Sequence, residues 1–230
     1  MSNVSVVIPA LNEEEPIANV VRECLATNIP SEVIVVDNGS TDRTAERAGE
    51  AGARVINAPR GYGRACAAGV RAASPQCDII AFLDGDGSDC PEFMSQLVDP
   101  IACGECDFVI GSRTRGQREP GSMNFQQIFA GKIAGWLMSI LYGVCYTDMC
   151  PFRAIRRDAL EKLSMREETY GWNLEMQMKA ARAGLRILEI PVNHRCRTGG
   201  VSKVAGSLRG TFVAGARIIA TFLRIAFQSS

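Results

Sequence analysis

The chain has 230 residues, 47% of them hydrophobic and 22% charged, and its 25 acidic and 25 basic residues give a formal net charge of zero. This composition excludes a chain that is disordered over most of its length, and the length suits a single domain with a sizeable core. No stretch reaches the roughly 20 apolar residues that a membrane-spanning helix needs. The nine cysteines are scattered and odd in number, so we expect buried thiols in a reducing cytosol.

Charge is distributed unevenly along the chain. Residues 1–100 contain 15 acidic and 7 basic residues, which leaves 10 acidic and 18 basic residues for 101–230. Most of these side chains are expected on solvated helix faces. The asymmetry nevertheless suits a cation in the first part of the chain and an anion in the second.

Strands and helices alternate in the first half. The predicted strands are VSVVIP, EVIVVD, RVIN, DIIAFLD and DFVIGS, and the predicted helices between them are NEEEPIANVVRECLA, TDRTAERAGEAG, GRACAAGVRAA and PEFMSQLVDPIA. The first helix is predicted to begin with acidic residues, as the helix dipole favours. The alternation predicts an α/β fold in which a mostly parallel central sheet is flanked by helices.

The pattern changes after Arg113. TRGQREPGSM is typical of a mobile loop, FQQIFAGKIAGWLMSILYG of one long helix or a helix pair, and DMCPFRAIRRDALEKL of a strand and a short helix. GWNLEMQMKAARAG is typical of an amphipathic helix, and LRILEIPVNHRCR of a strand pair interrupted at Pro191. We expect one domain over residues 1–204 and a further amphipathic helix over 205–230.

The predicted C-terminal helix is apolar apart from three arginines. Arg209, Arg217 and Arg224 are spaced by eight and seven residues, which puts them on one side of a helix. Such a helix either lies along an anionic membrane surface or packs on the domain with its arginines outward.

Three strand ends are predicted to meet at one edge of the sheet. Pro9, Asp37 and Asp84 each lie at the end of an apolar run. In parallel sheets these ends share one rim, and ligands bind there.

Like charges are concentrated at the third of these ends. Asp84 and Asp86 form a D-x-D pair on a turn that contains two glycines, and Asp89 follows. Repulsion raises the cost of ionising neighbouring carboxylates, and a divalent cation removes that repulsion. Carboxylate oxygens suit Mg²⁺ or Mn²⁺. The sequence therefore predicts a site for one of these cations, although D-x-D alone is a loose motif.

Two other motifs fit less well. Asp84, Asp86 and Ser88 match the first ligands of an EF-hand loop, but Ser95 stands where the bidentate glutamate should be. GYGRACAAG is similar to a dinucleotide fingerprint but follows the third strand instead of the first. Its glycines, Gly61 among them, are expected to let a loop and a helix pack against a nucleotide or the sheet.

Together the motifs resemble a known family. The segments VVIPALNEEE, VIVVDNGSTDRT, PRGYGRACAAG, FLDGDGSDCPE, VIGSR and TDMCPFRAIRRDAL occur in the order seen in family 2 glycosyltransferases, over about residues 3–204. The chain is most similar to the dolichyl-phosphate and polyprenyl-phosphate sugar transferases of that family. The resemblance implies the GT-A nucleotide-diphosphosugar transferase fold.

The resemblance also implies a donor site. The implied nucleoside pocket consists of Pro9, Asn12, Glu13 and Asp37, with Gly61 beside the nucleotide. The implied ligands of Mg²⁺ or Mn²⁺ are Asp84, Asp86 and Ser88, of which Asp86 is the firmest and is also a catalytic residue.

Phosphate and acceptor contacts are implied in the second half. Arg113 is similar to a catalytic arginine at the phosphates, where a guanidinium can donate two hydrogen bonds. DMCPFRAIRR departs from the family's usual S-G-F-R by its Cys150-Pro151 but retains Asp148 and Arg153, both implied to bind substrate.

Further implied residues lie near the acceptor. Glu175 matches a catalytic acidic residue of the family, with an exposed helical glutamate as the alternative. In RTGGVSK, Arg197, Ser202 and the catalytic Lys203 would close on the phosphates. His194, the only histidine, is expected to be neutral and structural.

The implied activity is inverting transfer of a hexose from a UDP- or GDP-linked sugar to polyprenyl or dolichyl phosphate. The acceptor phosphate is an oxyanion at neutral pH, so we expect no general base. The protein would be cytoplasmic and peripheral at the inner face of the membrane, docked through residues 125–143 and the C-terminal helix. Nucleic acid is not an expected partner, and a homo-oligomer is compatible with the sequence. Two alternatives stay open: a soluble acceptor, and sugar-nucleotide binding without turnover.

Overall fold

A single mixed sheet organises the described part of the chain. The computed structural model describes residues 2–198 together with 222 and 224. The sheet has seven strands in the order β3-β2-β1-β4-β6-β5-β7. The strands are β1 (Val4–Ala10), β2 (Glu32–Asp37), β3 (Arg54–Asn57), β4 (Ile79–Phe82), β5 (Phe108–Ser112), β6 (Arg153–Arg156) and β7 (Ile187–Pro191).

Helices connect and cover these strands. In β1, β4 and β5 every residue is buried, as expected when both faces of a sheet are covered. The helices are α1 (Ile17–Ala26), α2 (Thr44–Glu50), α3 (Tyr62–Ala72), α4 (Met94–Ala102), α5 (Phe125–Tyr142), α6 (Arg157–Leu163) and α7 (Trp172–Arg182). The predicted α/β architecture with a mostly parallel sheet is therefore confirmed.

One strand runs against the others. β6 pairs antiparallel with both β4 and β5, whereas the pairs β1–β2, β1–β4, β2–β3 and β5–β7 are parallel. The carboxyl ends of six strands consequently lie at one edge, together with the amino end of β6. We call this edge the rim.

Two local predictions were wrong. α1 begins at Ile17, so Glu13–Glu15 precede the helix and no acidic residue lies in its first turn. The predicted strand pair at Pro191 is one strand, β7, followed only by isolated bridges at His194. Proline is accommodated in β7 because this strand is at the sheet edge, where a missing N–H costs no ladder bond.

The structure also defines the two segments that follow Arg113, the predicted loop and the predicted long helix. The predicted loop TRGQREPGSM is bound to the chain after β7, since the His194 backbone N–H donates to the Gln117 carbonyl and the Glu119 N–H donates to the His194 carbonyl. The predicted long helix is a single helix, α5, which ends at Gly143 in a left-handed conformation with φ 70°.

The predicted C-terminal helix lies outside the described residues except for Phe222 and Arg224. Both are helical, Phe222 packs against the core, and Arg224 Nη2 lies 3.2 Å from Glu167 Oε2. The boundary at residue 204 stays a prediction. No helix among the described residues is long and apolar enough to cross a membrane.

Candidate active site

The turn after β4 is folded around two of its own carboxylates. Asp86 Oδ1 accepts hydrogen bonds from the Ser88 backbone N–H and hydroxyl, at 2.9 and 2.6 Å. Asp89 Oδ2 accepts one from the Asp84 backbone N–H, at 3.0 Å. Both carboxylates are buried. The D-x-D pair thus lies on a closed turn at the rim, where Ser88 orients Asp86, and the metal-ligand role expected for Ser88 stays a prediction.

Asp84 is held from a neighbouring helix. The Tyr62 hydroxyl, at the start of α3, donates to Asp84 Oδ1 at 3.0 Å. Burial, and then the charge of Asp86, raise the pKa of Asp84 to about 7, although the Tyr62 hydrogen bond acts in the opposite direction. Tyr62 was not predicted from the sequence. The available signal was its position between two glycines at the start of a helix.

Asp89 and His194 form a buried pair behind the turn. The Asp89 and His194 side chains are 1% and 5% exposed, and His194 Nδ1 lies 3.9 Å from Asp89 Oδ1. Among the described residues, this nitrogen has no hydrogen-bond partner. Burial, followed by the charge of Asp84, raises the pKa of Asp89 to about 8. Burial, followed by the charge of Arg113, lowers the pKa of His194 to about 4. This imidazole is therefore neutral at pH 7, as the sequence predicted.

Arg197 forms ion pairs with two buried carboxylates, those of Asp86 and Glu13. Its Nη2 lies 2.7 Å from Asp86 Oδ2, and its Nη1 lies 3.2 Å from Glu13 Oε1. Both carboxylates are buried, so this guanidinium is close to two charges that water solvates poorly. The structure brings the three predicted residues together although they belong to distant parts of the chain.

The loop after β1 is joined to the loop after β2. Asn12 has φ 51°, its backbone N–H donates to Ser40 Oγ at 3.0 Å, and its Oδ1 accepts from the Thr41 N–H at 2.8 Å. Asp37 Oδ1 accepts from the Ser40 N–H at 3.1 Å. Pro9 is buried near the end of β1, so it belongs to the strand and not to the exposed surface of the following loop.

Arg113 follows β5 and is fixed by Asp148. Its Nε and Nη2 donate to the two oxygens of Asp148 at 2.7 and 2.8 Å, and its backbone N–H donates to Oδ2 at 2.9 Å. Burial alone would raise the pKa of Asp148, but the hydrogen bonds and charge of Arg113 outweigh it and the pKa is lowered. The pair is therefore ionised, and among the described residues nothing accepts a hydrogen bond from Arg113 Nη1.

Two predicted substrate contacts have other partners. Arg153 is fully buried at the start of β6, where Nε and Nη2 donate to the Cys150 carbonyl and Nη1 to the Asn173 carbonyl. Glu175 is 1% exposed, and its Oε2 accepts the backbone N–H groups of the two residues at 166 and 167. The alternative of an exposed helical glutamate is therefore wrong, and the acceptor-side role of Glu175 stays a prediction. A match to a family motif thus predicts where a residue lies in the fold but not where its side chain points.

Of the remaining predicted site residues, Gly61 has a packing role, and two lie in the segment that the structure does not describe. A Cβ added at Gly61 would lie 2.5 Å from the Glu168 carbonyl oxygen, so glycine here lets the start of α3 lie against a backbone segment, while the helix itself packs on β1 and β2 of the sheet as expected. The Gly61 N–H also donates to Asn38 Oδ1 at 2.9 Å. Ser202 and Lys203 lie outside the described residues.

Comparison with known sequences identifies the family. The profile of the family described as Glycosyl transferase family 2 matches residues 5–164, which include the D-x-D turn and Arg113 with Asp148. The chain belongs to glycosyltransferase family 2. The recognition made from the sequence motifs is confirmed.

Relatives within family 2 extend over most of the chain. An uncharacterized glycosyltransferase of Mycobacterium tuberculosis is 38% identical over 92% of this chain and 94% of its own length. A dolichyl-phosphate hexose transferase of Haloferax volcanii is 36% identical over 86% of this chain and 85% of its own length. An undecaprenyl-phosphate mannosyltransferase of Micrococcus luteus is 30% identical over 90% and 89%.

A solved structure of similar fold supports the expected GT-A fold. The glucosyl-3-phosphoglycerate synthase of M. tuberculosis, in complex with Mn²⁺, UDP-glucose and phosphoglyceric acid, superimposes with a TM-score of 0.80 and 26% sequence identity. The similarity covers all of this chain and 81% of that chain. A further structure of that synthase contains Mg²⁺ and UDP.

The D-x-D turn of this glycosyltransferase fits a hard divalent cation. No group of three or more His, Cys, Asp or Glu side chains among the described residues is arranged as a metal cage. Mg²⁺ is nevertheless usually held by one or two carboxylates together with substrate phosphates. Asp84 and Asp86 supply such carboxylates, and Asp86 Oδ2 already accepts a cationic group, the Arg197 guanidinium. The raised pKa of Asp84 indicates a site that favours added positive charge.

Proposed function

We propose that this family 2 enzyme transfers a hexose from a nucleotide-diphosphate sugar to a polyprenyl or dolichyl phosphate, with inversion at the anomeric carbon. The observation that carries the proposal is the presence of two features at the rim: the D-x-D turn with its buried Asp86, and the Arg113 guanidinium fixed by Asp148. The first suits a cation and the second an anionic phosphate. Relatives named undecaprenyl-phosphate mannosyltransferase and dolichyl-phosphate hexose transferase support this acceptor class.

Each part of the rim has a role in the proposed reaction. Asn12, Glu13 and Asp37 would hold the nucleoside, and Asp84 and Asp86 would hold Mg²⁺ or Mn²⁺ at the diphosphate. When bound, the cation offsets the negative charge of the leaving nucleoside diphosphate. Arg113 would donate from Nη1 to a phosphate, because its other donors hold Asp148.

The reaction needs no proton transfer from the nucleophile. The acceptor phosphate oxygen forms a bond to the anomeric carbon while the bond from that carbon to the diphosphate oxygen breaks, and the electron pair leaves with the nucleoside diphosphate. Catalysis then rests on positioning and charge stabilisation. A buried, neutral His194 is consistent with this scheme, since it is not required as a base.

Membrane docking is proposed through α5. Its apolar side chains Phe129, Ile133, Trp136 and Ile140 are 54%, 43%, 64% and 63% exposed. Spacings of four, three and four residues place them on one helix face. An exposed aromatic and aliphatic face suits the interfacial region of a bilayer at the cytoplasmic side. Lipid phosphates would then approach the rim from that surface.

A soluble phosphorylated acceptor is the second candidate. It is favoured by the structural similarity to the glucosyl-3-phosphoglycerate synthase, whose complexes contain phosphoglyceric acid. It keeps the donor site, the cation and the role of Arg113, and it replaces the lipid phosphate by a soluble phosphorylated molecule.

Donor turnover distinguishes these candidates. The purified protein is incubated with Mn²⁺ or Mg²⁺ and a panel of UDP- and GDP-sugars, alone, with undecaprenyl phosphate, or with 3-phosphoglycerate, and nucleoside diphosphate release is measured. Release that requires the lipid phosphate supports the proposal. Release that requires the soluble phosphate supports the second candidate, and nucleotide binding without release under any condition supports a non-catalytic protein.

A further inference from the structure

The chain after β7 returns across the D-x-D turn. Residues 194–198, which we call the strap, are fastened by backbone hydrogen bonds: the Arg195 N–H donates to the Ser88 carbonyl at 2.9 Å and the Thr198 N–H to the Asp86 carbonyl at 3.1 Å. An isolated antiparallel bridge joins His194 to Asp89. These bonds hold the strap beside the turn independently of its side chains.

Arg197 of the strap occupies the last open oxygen of Asp86. Oδ1 of Asp86 already accepts two hydrogen bonds from Ser88. Oδ2 lies 2.7 Å from Arg197 Nη2 in an ion pair, and Nη1 of the same guanidinium donates to Glu13 Oε1. The Arg197 side chain is 28% exposed, whereas those of Asp86 and Glu13 are 8% and 7% exposed.

A divalent cation at Asp86 competes with this guanidinium. A cation held by Asp86 would use the same oxygen as the guanidinium, so two positive groups would share Oδ2 at short range. Their repulsion is poorly screened at a buried carboxylate. Cation binding and the Arg197–Asp86 ion pair therefore oppose each other.

We propose that Arg197 is an exchangeable counter-ion of the D-x-D site, which leaves Asp86 when the divalent cation binds and moves to the diphosphate of the donor. This inference rests on the proposed function, because it assumes a metal-bound nucleotide at the rim. The diphosphate offers the guanidinium a bidentate anionic partner in place of the carboxylates. When the cation binds alone, the Arg197–Asp86 ion pair is broken and Arg197 gains no new anionic partner. When the cation binds with the nucleotide, the diphosphate becomes that partner.

The exchange makes cation and nucleotide bind cooperatively. Each ligand should raise the affinity for the other, and part of that coupling should depend on Arg197. Arg197→Gln removes the positive charge but keeps a polar side chain. Arg195→Gln is the matched control, since Arg195 lies on the same strap but pairs with Glu23 and Glu92, away from Asp86.

The test measures Mn²⁺ affinity by the electron paramagnetic resonance signal of free Mn²⁺, with and without UDP or GDP, for the full chain and both variants. We expect Arg197→Gln to bind Mn²⁺ alone about tenfold more tightly than wild type, a coupling of ordinary size. The gain in Mn²⁺ affinity on adding nucleotide should shrink by a similar factor. Arg195→Gln should match wild type within about twofold, and equal melting temperatures would establish that all three proteins are folded.

The outcomes separate this inference from the proposed function. If wild type binds Mn²⁺ and nucleotide but Arg197→Gln leaves the affinity for Mn²⁺ alone unchanged or weaker, the counter-ion exchange is wrong and the donor site stands. If Arg195→Gln tightens Mn²⁺ binding as much as Arg197→Gln, the effect is general electrostatics and the exchange is again wrong. If no protein binds Mn²⁺ with either nucleotide, the proposed metal-dependent function fails as well.

Discussion

Asp86 is the residue on which most of the proposed chemistry converges. It is buried, its Oδ1 is oriented by Ser88, and its Oδ2 carries the only cationic contact that the described residues give this carboxylate. Asp86→Asn retains the size and the hydrogen-bond acceptor but removes the charge. We expect nucleoside diphosphate release to fall by about 100- to 1,000-fold, the usual cost of losing one preorganised charge-stabilising contact. Asp99→Asn, on the exposed face of α4, should remain close to wild type, and full activity of Asp86→Asn would refute the mechanism.

Asp89 makes a prediction about stability and pH. Its folded-state pKa of about 8 lies above the ordinary 3.8, so between these values the folded chain binds more protons than the unfolded chain. The stability linked to Asp89 is therefore complete below pH 3.8 and is lost as the pH rises through 8. Asp89→Asn stays neutral and can still accept the Asp84 N–H. In EDTA it should melt about 2–4 °C above wild type at pH 8.5, a difference that narrows towards pH 5.

Asp107 provides a control of opposite sign. Hydrogen bonds from Arg186 lower its pKa to about 2, so its stabilising effect is present above pH 3.8 and is lost as the pH falls through 2. Asp107→Asn should melt below wild type at pH 8.5. A melting difference for Asp89→Asn that is constant with pH, or that grows towards pH 5, would contradict the role given to burial at Asp89.

Some site residues could be predicted from the sequence and others could not. Asp84 and Asp86 were predictable because a carboxylate pair after an apolar strand falls at the rim of a parallel sheet. The Tyr62 hydroxyl on Asp84, and Arg197 on Asp86, depend on how distant segments pack. Arg153 lies on its motif but points into the core, which spacing does not reveal.

At the scale of elements, periodicity predicted nearly all strands and helices but not their boundaries or directions. β6 runs antiparallel to β4 and β5, so the handedness rule for parallel crossovers does not apply to its long connection from β5 through α5. The predicted start of α1 was too early, because the acidic residues Glu13–Glu15 resemble a first helical turn, where the helix dipole favours negative charge. Glu13 instead places its backbone N–H on Thr44 Oγ1 at 2.8 Å and its carboxylate on Arg197.

The exposed apolar face of α5 allows a direct test of membrane docking. Trp136 and Ile140 are the two most exposed large apolar side chains of the described residues, so replacing them with serine should leave the core intact. If this face enters a bilayer, Trp136→Ser with Ile140→Ser should reduce co-sedimentation with anionic phospholipid vesicles about tenfold or more, because burying each side chain is worth roughly 1.5–3 kcal/mol. Leu188→Ser on edge strand β7 is the control, since Leu188 is also exposed. Unchanged vesicle binding of the double variant would exclude docking through α5.

At the scale of the whole molecule, the two oppositely charged parts of the chain meet at the rim. Arg195 pairs with Glu23 and Glu92, and Arg197 pairs with Glu13 and Asp86. Arginines of the basic second part thus neutralise carboxylates of the acidic first part. The charge asymmetry that the sequence shows as two blocks becomes, in the fold, one surface on which the proposed cation and diphosphate would lie next to each other.

A ligand that bridges these two parts should stabilise the whole fold. At a concentration about 100 times its dissociation constant, a ligand bound only to the folded state adds about 2.7 kcal/mol. For a chain of this length, that raises the melting temperature by roughly 5–10 °C. We therefore expect Mn²⁺ with one of UDP and GDP to produce such a shift in a thermal melt followed by circular dichroism. The same nucleotide with EDTA should give a much smaller shift, because the D-x-D carboxylates then repel the diphosphate. Equal shifts with Mn²⁺ and with EDTA would mean that the nucleotide binds without the cation, and that Asp84 and Asp86 serve the fold instead of the donor.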